Sequence, residues 1–236
     1  MKGINALDGT EYARQFVRQT VRATIMKQSA RDQQSSVGPS DLGDPCDLCL
    51  ASKMARHGPL AVGQGRESGF SLSAWVGTSM HEKLERDLDL PPEMYLCEEK
   101  VFIHEIPGYG RINGHIDVQF LLMGIWNDYK SAKVKDIQSY KLNGPPWKHV
   151  VQLMLYGYGL RKAGRKADYA ALTYIPRDNN NPDNIWVATA EYNEQIALDA
   201  LARAEAMWAK LQDGHIDFSS HPDCYVCKMA TLGMLR

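Results

Sequence analysis

The feature that most constrains the fold is a pair of apparent strands that carry acidic residues and a lysine. Asp117 lies near the end of the first strand, and Asp128 and Lys130 lie on the second. Side chains alternate along a strand, so Asp128 and Lys130 project to one face, and Asp117 reaches that face if the strands pair. Two carboxylates can hold a divalent cation while an ammonium group stabilises an anion beside it. The pattern is short, and solvated strand ends would show it too.

Two predicted helices contribute further polar residues. The helix before the strand pair has apolar residues at helical spacing, and it carries Gly77 and His81. A later helix carries Gln152 and Tyr156, which share one face because they lie four residues apart. Each pattern alone also occurs in ordinary amphipathic helices. Together with the strand residues, they form four short motifs in a fixed order along the chain.

The order of these motifs resembles the RecB-type branch of the PD-(D/E)XK nucleases. The motifs G-x-x-x-H, G-x-x-D, D-x-K and Q-x-x-x-Y correspond to Gly77/His81, Gly114/Asp117, Asp128/Lys130 and Gln152/Tyr156. The resemblance covers roughly residues 73–160. It implies an α/β, restriction-endonuclease-like fold with a mixed central sheet flanked by helices.

The resemblance also implies a site for Mg²⁺ or Mn²⁺. His81, Asp117 and Asp128 would ligate the cation, joined by the backbone carbonyl of Tyr129. A shell that mixes imidazole and carboxylate ligands suits manganese as well as magnesium.

Three further roles follow from the same resemblance. Lys130 would orient or help to deprotonate the attacking water and would stabilise the transition state. Gln152 would hold the water, the metal shell or the scissile phosphate, and Tyr156 would contact the substrate backbone. Glu98 or Glu99, on the strand before Asp117, would support the site, and the sequence leaves the choice open.

Four of the five cysteines form two C-x-x-C pairs, one near each end of the chain. The pairs are Cys46/Cys49 and Cys224/Cys227. Each pair can place two thiolates on one metal, so two pairs make a four-thiolate site that would join the N-terminal and C-terminal segments. Cys97 has no such neighbour, and we expect it on a buried strand.

The cysteines are similar in placement to those of the CRISPR-associated RecB-type exonucleases and the AddB nuclease domain. Those families close a nuclease core with a 4Fe–4S cluster, which we therefore expect here. They supply one cysteine before the core and three after it, whereas this chain supplies two and two, so Zn²⁺ is the open alternative. A disulfide framework is disfavoured, because the chain shows no secretory signal and is large enough to need no staples.

Charge is informative locally rather than overall. The formal net charge is −1, which gives no sign of nucleic-acid binding. A basic group nevertheless follows the second strand, and a further one closes the next helix at 161–166; solvated helix ends are the alternative for both. The candidates for binding DNA phosphates are Lys133, Lys135, Lys141 and Lys148. No apolar run has the length of a membrane span, so we expect a cytoplasmic protein without membrane contact.

The predicted organisation has three parts. Residues 1–72 form an N-terminal helical region with the first C-x-x-C pair, 73–192 form the nuclease core, and 193–236 form a C-terminal helix with the second pair, packed on the N-terminal region. A short helix starting at Asp44-Pro45 would carry the first cysteine pair. We expect strands at 94–104, 110–120, 122–130, 169–175 and 185–191, helices at 7–27, 73–88, 147–163 and 194–212, and a loop at 141–146.

Together these patterns predict a metal-dependent DNA exonuclease of bacterial or phage type that acts on DNA ends or single strands in recombination, repair or processing. The alternatives are a non-catalytic module that binds DNA ends for a partner, a structure-specific endonuclease and an RNA-directed nuclease. A binding module has no need of His81, Asp117, Asp128 and Lys130 together, which favours the enzyme.

Overall fold

The computed structural model describes residues 11–25, 37–57 and 72–231 of the chain. The described residues include one five-stranded mixed sheet in the order β1-β2-β3-β4-β5. Its strands are β1 (Tyr95–Ile106), β2 (Gly110–Phe120), β3 (Ile125–Ala132), β4 (Tyr169–Pro176) and β5 (Trp186–Glu191). Strands β3 and β4 are parallel, and the other neighbours are antiparallel.

Helices flank this sheet, so the predicted α/β fold with a mixed central sheet is confirmed. The helices are α1 (Glu11–Ile25), α2 (Pro39–Leu42), α3 (Asp47–His57), α4 (Leu72–Arg86), α5 (Val134–Asn143), α6 (Trp147–Lys162), α7 (Glu194–Gln212) and α8 (Tyr225–Thr231). Helices α5 and α6 form the crossover connection between β3 and β4. Parallel neighbouring strands need a long connection of this kind. No helix within the described ranges is both long and apolar enough to cross a membrane.

Two local predictions differ from the structure. The predicted loop at 141–146 begins too early, because α5 continues to Asn143 and stops at Gly144, whose φ of +82° suits glycine. Residues 141–143 are exposed, so the end of this helix carries no apolar signal. The helix of the first cysteine pair starts at Asp47 rather than beside Asp44-Pro45, and Cys46 precedes it. The predictions for residues 1–10, 26–36 and 58–71 concern parts of the chain that lie outside the described residues.

Helix α6 lies unusually close to the sheet. Most of its residues are buried, and two glycines face the strands. A Cβ atom at Gly157 would come within 2.6 Å of the Trp126 ring, and one at Gly159 within 2.4 Å of a Val101 methyl group. The Trp126 indole N–H also donates to the carbonyl oxygen of Leu153 at 3.0 Å. The two glycines and one buried hydrogen bond therefore determine how closely α6 packs on the sheet.

Gly114 on β2 allows a similar approach from the other direction. A Cβ atom there would lie 2.4 Å from Cε1 of Tyr156 and 3.0 Å from Cγ of Pro39. The Tyr156 ring on α6 therefore occupies the volume that any other residue at position 114 would need. This contact gives a packing reason for the glycine in the G-x-x-D motif.

We predict that Gly114→Ala destabilises the fold, whereas Gly77→Ala does not. The first change forces the buried Tyr156 ring aside, and overpacking of this kind costs about 1–3 kcal/mol. Among the described residues, apart from its chain neighbours and its own helix backbone, no atom lies within 4 Å of the position a Cβ would take at Gly77. Alanine is also the better helix former, by about 1 kcal/mol. Urea denaturation of both variants measures the difference, and equal loss of stability would contradict the packing role of Gly114.

Candidate active site

The candidate site lies where β2 and β3 separate. Their last paired residues on this side are Val118 and Asn127. One residue farther along each strand come Asp117 and Asp128. The backbone N–H of Tyr129 donates to Oδ2 of Asp117 at 2.6 Å, so a side chain bridges the strands where the backbone ladder has stopped. Both predicted acidic residues are thus placed at one point of the sheet.

Helix α4 adds an imidazole to this point. His81 lies against Asp117, with 3.1 Å between Nδ1 and Oδ1. Burial lowers the pKa of His81, but the hydrogen bond and negative charge of Asp117 outweigh it, so this pKa lies above its ordinary value. Donor atoms of His81, Glu98 and Asp117 all lie within 4.8 Å of one another. This spacing is compatible with shared binding of one cation.

The structure distinguishes between the two adjacent glutamates of β1. Glu98 joins His81 and Asp117, whereas Glu99 forms an ion pair with Arg165 at 3.1 Å. Among the described non-glycine residues, Glu98 alone has a positive φ, at 52°. Such a backbone costs about 1–3 kcal/mol and persists where surrounding contacts enforce it. The sequence could not choose, because a local turn of the backbone decides which carboxylate faces the site.

Asp128 is almost completely buried. Its Oδ1 accepts a hydrogen bond from the Gln152 amide at 3.0 Å. Its Oδ2 forms an ion pair with Nζ of Lys130 at 2.7 Å. Burial raises the pKa of Asp128 to about 6; the charge of Lys130 opposes this rise and that of Asp117 adds to it. A further cation beside Oδ2 would favour the carboxylate form.

Gln152 connects the acidic and basic groups. Its Nε2 donates to Asp128 and, at 2.8 Å, to the hydroxyl oxygen of Tyr156, while its Oε1 accepts from Nζ of Lys130 at 3.0 Å. Tyr156 is 5% exposed, and burial raises the pKa of its phenol, which therefore stays neutral. One amide thus sets the positions of three side chains. The residues of the D-x-K and Q-x-x-x-Y motifs meet in a single network.

Comparison with known protein families now gives an assignment. The family model of the PD-(D/E)XK nuclease superfamily matches residues 97–232, more than half of the chain. The chain belongs to the PD-(D/E)XK nuclease superfamily. The matched range contains Glu98, Asp117, Asp128 and the Gln152 network, and His81 precedes it. No curated protein matches the chain.

Solved exonuclease structures share this PD-(D/E)XK fold. The alkaline exonuclease LHK-Exo from Laribacter hongkongensis gives a TM-score of 0.56 at 12% identity, over 84% of this chain and 94% of that one. Its complex with dAMP gives 0.55 at 12% identity, over 86% and 95%. A phage-related exonuclease from Haemophilus somnus gives 0.50 at 10% identity, over 76% and 96%. At such identities the likeness concerns the fold alone.

The two basic groups of this nuclease-superfamily chain differ in their surroundings. The group after β3 is exposed and lies along α5 and the first turn of α6; it comprises Lys133, Lys135, Lys141 and Lys148. The group that ends α6 is engaged within the protein. Arg161 and Lys166 each lie 3.6 Å from Asp168, and Lys162 covers the Phe102 ring at 4.7 Å. Binding of DNA phosphates therefore remains a prediction for the exposed group after β3.

His149, which follows Lys148 in the sequence, is not a cationic member of the exposed group. Its Nδ1 lies 2.9 Å from the hydroxyl oxygen of Tyr174, and the ring is largely buried. Burial, reinforced by the charges of Lys130 and Lys148, lowers the pKa of His149 to about 3. The imidazole is therefore neutral at physiological pH.

We predict that His149 makes the fold sensitive to acid. The unfolded chain protonates this residue near pH 6.5, whereas the folded chain does so only near pH 3. The contribution of neutral His149 to the free energy of unfolding is therefore fully present above pH 6.5 and is lost as the pH falls towards 3. The loss from this group is no more than about 1.4 kcal/mol per pH unit. His149→Gln, which cannot become cationic, should flatten this dependence in denaturation curves measured across the window.

His215→Gln is the matched control, because His215 lies exposed after α7. It removes one histidine from the exposed surface, and its denaturation curves are compared with those of His149→Gln across the same pH window. An unchanged slope in His149→Gln would show that this histidine is not held neutral.

The four cysteines of the two C-x-x-C pairs lie together. Cys46 is buried and precedes α3, and Cys49 lies on α3. Cys224 precedes α8, and Cys227 lies in its first turn. Their sulfur atoms are all within 4.8 Å of one another. Cys97 is on β1, as predicted, but is half-buried and stands outside this group. The predicted joining of the two ends through four thiols is therefore present in the fold.

Proposed function

We propose that the chain is a RecB-like, metal-dependent deoxyribonuclease that works as an exonuclease in DNA recombination, repair or processing. The observation that carries this proposal is the meeting of Asp117, Asp128 and Lys130 where β2 and β3 separate, with His81 and Glu98 beside them. Membership of the PD-(D/E)XK nuclease superfamily supports hydrolysis of phosphodiester bonds. The likeness to an alkaline and a phage-related exonuclease supports an exonuclease of bacterial or phage type.

The donor set fits Mg²⁺ or Mn²⁺. Carboxylate oxygens are ligands for either ion, and an imidazole extends the preference towards manganese. His81, Glu98 and Asp117 would hold the ion. Asp128, which lies beside Asp117 where β2 and β3 separate, would be a further ligand. The carbonyl of Tyr129 completes the proposed set. A bound divalent cation supplies positive charge that activates water and offsets charge on the phosphate.

Lys130 acts on the attacking water and on the negative charge of the transition state. Its ammonium group is held between Asp128 and Gln152, so it points at the reacting region with little freedom. A charge fixed in advance needs no reorganisation during the reaction, which makes its stabilisation larger than in water. Gln152 keeps both partners in place.

We assign Tyr156 a positioning role in place of the predicted contact with the substrate backbone. The side chain is 5% exposed and packs against Gly114, so it offers little surface to DNA. Its hydroxyl accepts a hydrogen bond from Gln152 and so orients that amide towards Asp128.

The exposed lysines on α5 and α6 supply the contacts to DNA. Lys141 and Lys148 flank Trp147, whose side chain is 58% exposed. Lysines neutralise phosphates, and an exposed indole can stack on an unpaired base, which supports action on ends or single strands. LHK-Exo has been solved with dAMP, a deoxymononucleotide, in keeping with DNA as the substrate. We place this activity in the cytoplasm, where bacterial and phage DNA is accessible.

The first test of this function is loss of cleavage. Asp117→Asn and Lys130→Ala should each slow hydrolysis of end-labelled linear DNA by about 100-fold or more, because each removes a ligand or a charge stabiliser. Asp199→Asn and Lys210→Ala make the same changes on the exposed side of α7 and should retain the rate. Heat-unfolding curves show whether each variant is folded, and calorimetry with Mn²⁺ measures the lost cation affinity of Asp117→Asn.

A folded Asp117→Asn protein that cleaves at the unaltered rate would show that this is not the catalytic site.

His81→Ala should lower the cleavage rate less in Mn²⁺ than in Mg²⁺ if His81 is a peripheral ligand. Closed circular single strands should resist, since an exonuclease needs an end, and their rapid degradation would favour the endonuclease alternative.

The second test concerns the DNA surface. In the double variant Lys141→Ala/Lys148→Ala, binding to single strands should weaken, and the slope of log affinity against log salt should shrink by about 0.7 for each lost phosphate contact. Lys162→Ala/Lys166→Ala removes the same charge from the engaged group at the end of α6 and should leave the slope unchanged. Fluorescence anisotropy with labelled oligonucleotides measures both, and identical slopes in the two double variants would place the DNA elsewhere.

A further inference from the structure

The two C-x-x-C pairs form one compact group of sulfur atoms. The Sγ atoms of Cys46 and Cys227 lie 3.6 Å apart, those of Cys49 and Cys224 3.5 Å apart, and those of Cys49 and Cys227 3.7 Å apart. Each of these distances joins one pair to the other. We propose that the four thiolates hold a single tetrahedral zinc ion and not the 4Fe–4S cluster expected from the family resemblance.

The sulfur spacing matches the dimensions of a mononuclear site. Zinc binds cysteine sulfur at about 2.3 Å in tetrahedral geometry, which sets the sulfur atoms about 3.8 Å apart. The distances of 3.5, 3.6 and 3.7 Å in the structure fall close to this value without any shift of the backbone. Four sulfur donors and no open position are typical of structural zinc.

A cubane cluster needs a wider arrangement. Its four cysteines bind four different irons at the corners of a body of eight atoms, so their sulfur atoms stand roughly 6 Å apart. All four sulfur atoms here lie within 4.8 Å of one another, which leaves no room for that body. A 2Fe–2S cluster with one C-x-x-C pair on each iron is excluded as well, because the short distances run between the pairs.

Contacts around the group hold this narrow spacing. The backbone N–H of His221 donates to Sγ of Cys46 at 3.4 Å, and that of Leu48 donates to the carbonyl oxygen of Ser219 at 3.1 Å. On the other side, the Arg203 guanidinium of α7 binds the Asp47 carboxylate at 2.7 Å and the Asp44 carbonyl at 2.7 Å. Polar contacts therefore hold both of the segments that carry the cysteines, and widening the sulfur group would strain these contacts.

The ion would fasten the segment after α7 to the start of α3. Metal binding of this kind contributes directly to folding free energy, because the ligands do not form a site in the unfolded chain. The fifth cysteine, Cys97, is the built-in comparison, since it lies outside the group.

The test is metal analysis of the full chain, expressed with both iron and zinc supplied and purified without oxygen. We expect about one zinc per chain, no inorganic sulfide and a colourless protein. Cobalt exchanged into the protein should show the visible bands of a tetrahedral thiolate site. Cys224→Ser should lose the zinc, and Cys97→Ser should keep it.

A second measurement covers the case in which Cys224→Ser fails to fold. Titration of the unaltered protein with an organomercurial should release one zinc as four thiols react, with one further thiol reacting independently of release. Iron with inorganic sulfide in the anaerobic protein would overturn the proposal, as would five freely reacting thiols and no metal. Cleavage enters none of these readouts, so the metal assignment and the nuclease function stand or fall separately.

Discussion

The buried amide of Gln152 is the contact on which the candidate site depends. It is 6% exposed, yet it donates to Asp128 and to Tyr156 and accepts from Lys130. An acidic and a basic group within a protein core are each costly unless paired and hydrogen-bonded. The amide meets part of that need for both, and the ion pair between Lys130 and Oδ2 of Asp128 meets the rest. Stability and chemistry therefore draw on the same network.

That network exists only because α6 comes so close to the sheet. Gly157 and Gly159 let the helix lie on Trp126 and Val101, and Gly114 admits the ring of Tyr156 from the strand side. Larger residues at these positions would move the helix away from the sheet. The Gln152 side chain would then be too short to reach Asp128 and Lys130. Glycines that contribute no chemistry thus set the distances within the site.

The sequence predicted the elements whose apolar residues repeat regularly and the motifs whose residues have a fixed spacing. The bounds of β2 and α7 match the expectation, because their apolar residues alternate or repeat at helical spacing. The last residues of α5, 141–143, are exposed and directly precede Gly144, so nothing in the sequence distinguished them from the loop that follows. The choice of Glu98 over Glu99 depends on one strained backbone angle, which spacing does not encode. The separation of the four sulfur atoms likewise depends on tertiary contacts such as that of Arg203.

The cysteine group relates the candidate site to the order in which the chain is made. Cys46 and Cys49 leave the ribosome before any strand of the sheet, and Cys227 follows Cys46 by 181 residues. The sulfur group can close only after the strands and α7 have been synthesised. Arg203 of α7 binds the segment around Asp47, so a chain that stops before Cys224 would keep this contact and the strands of the site. Such a chain would lack the second cysteine pair and could not complete the sulfur group.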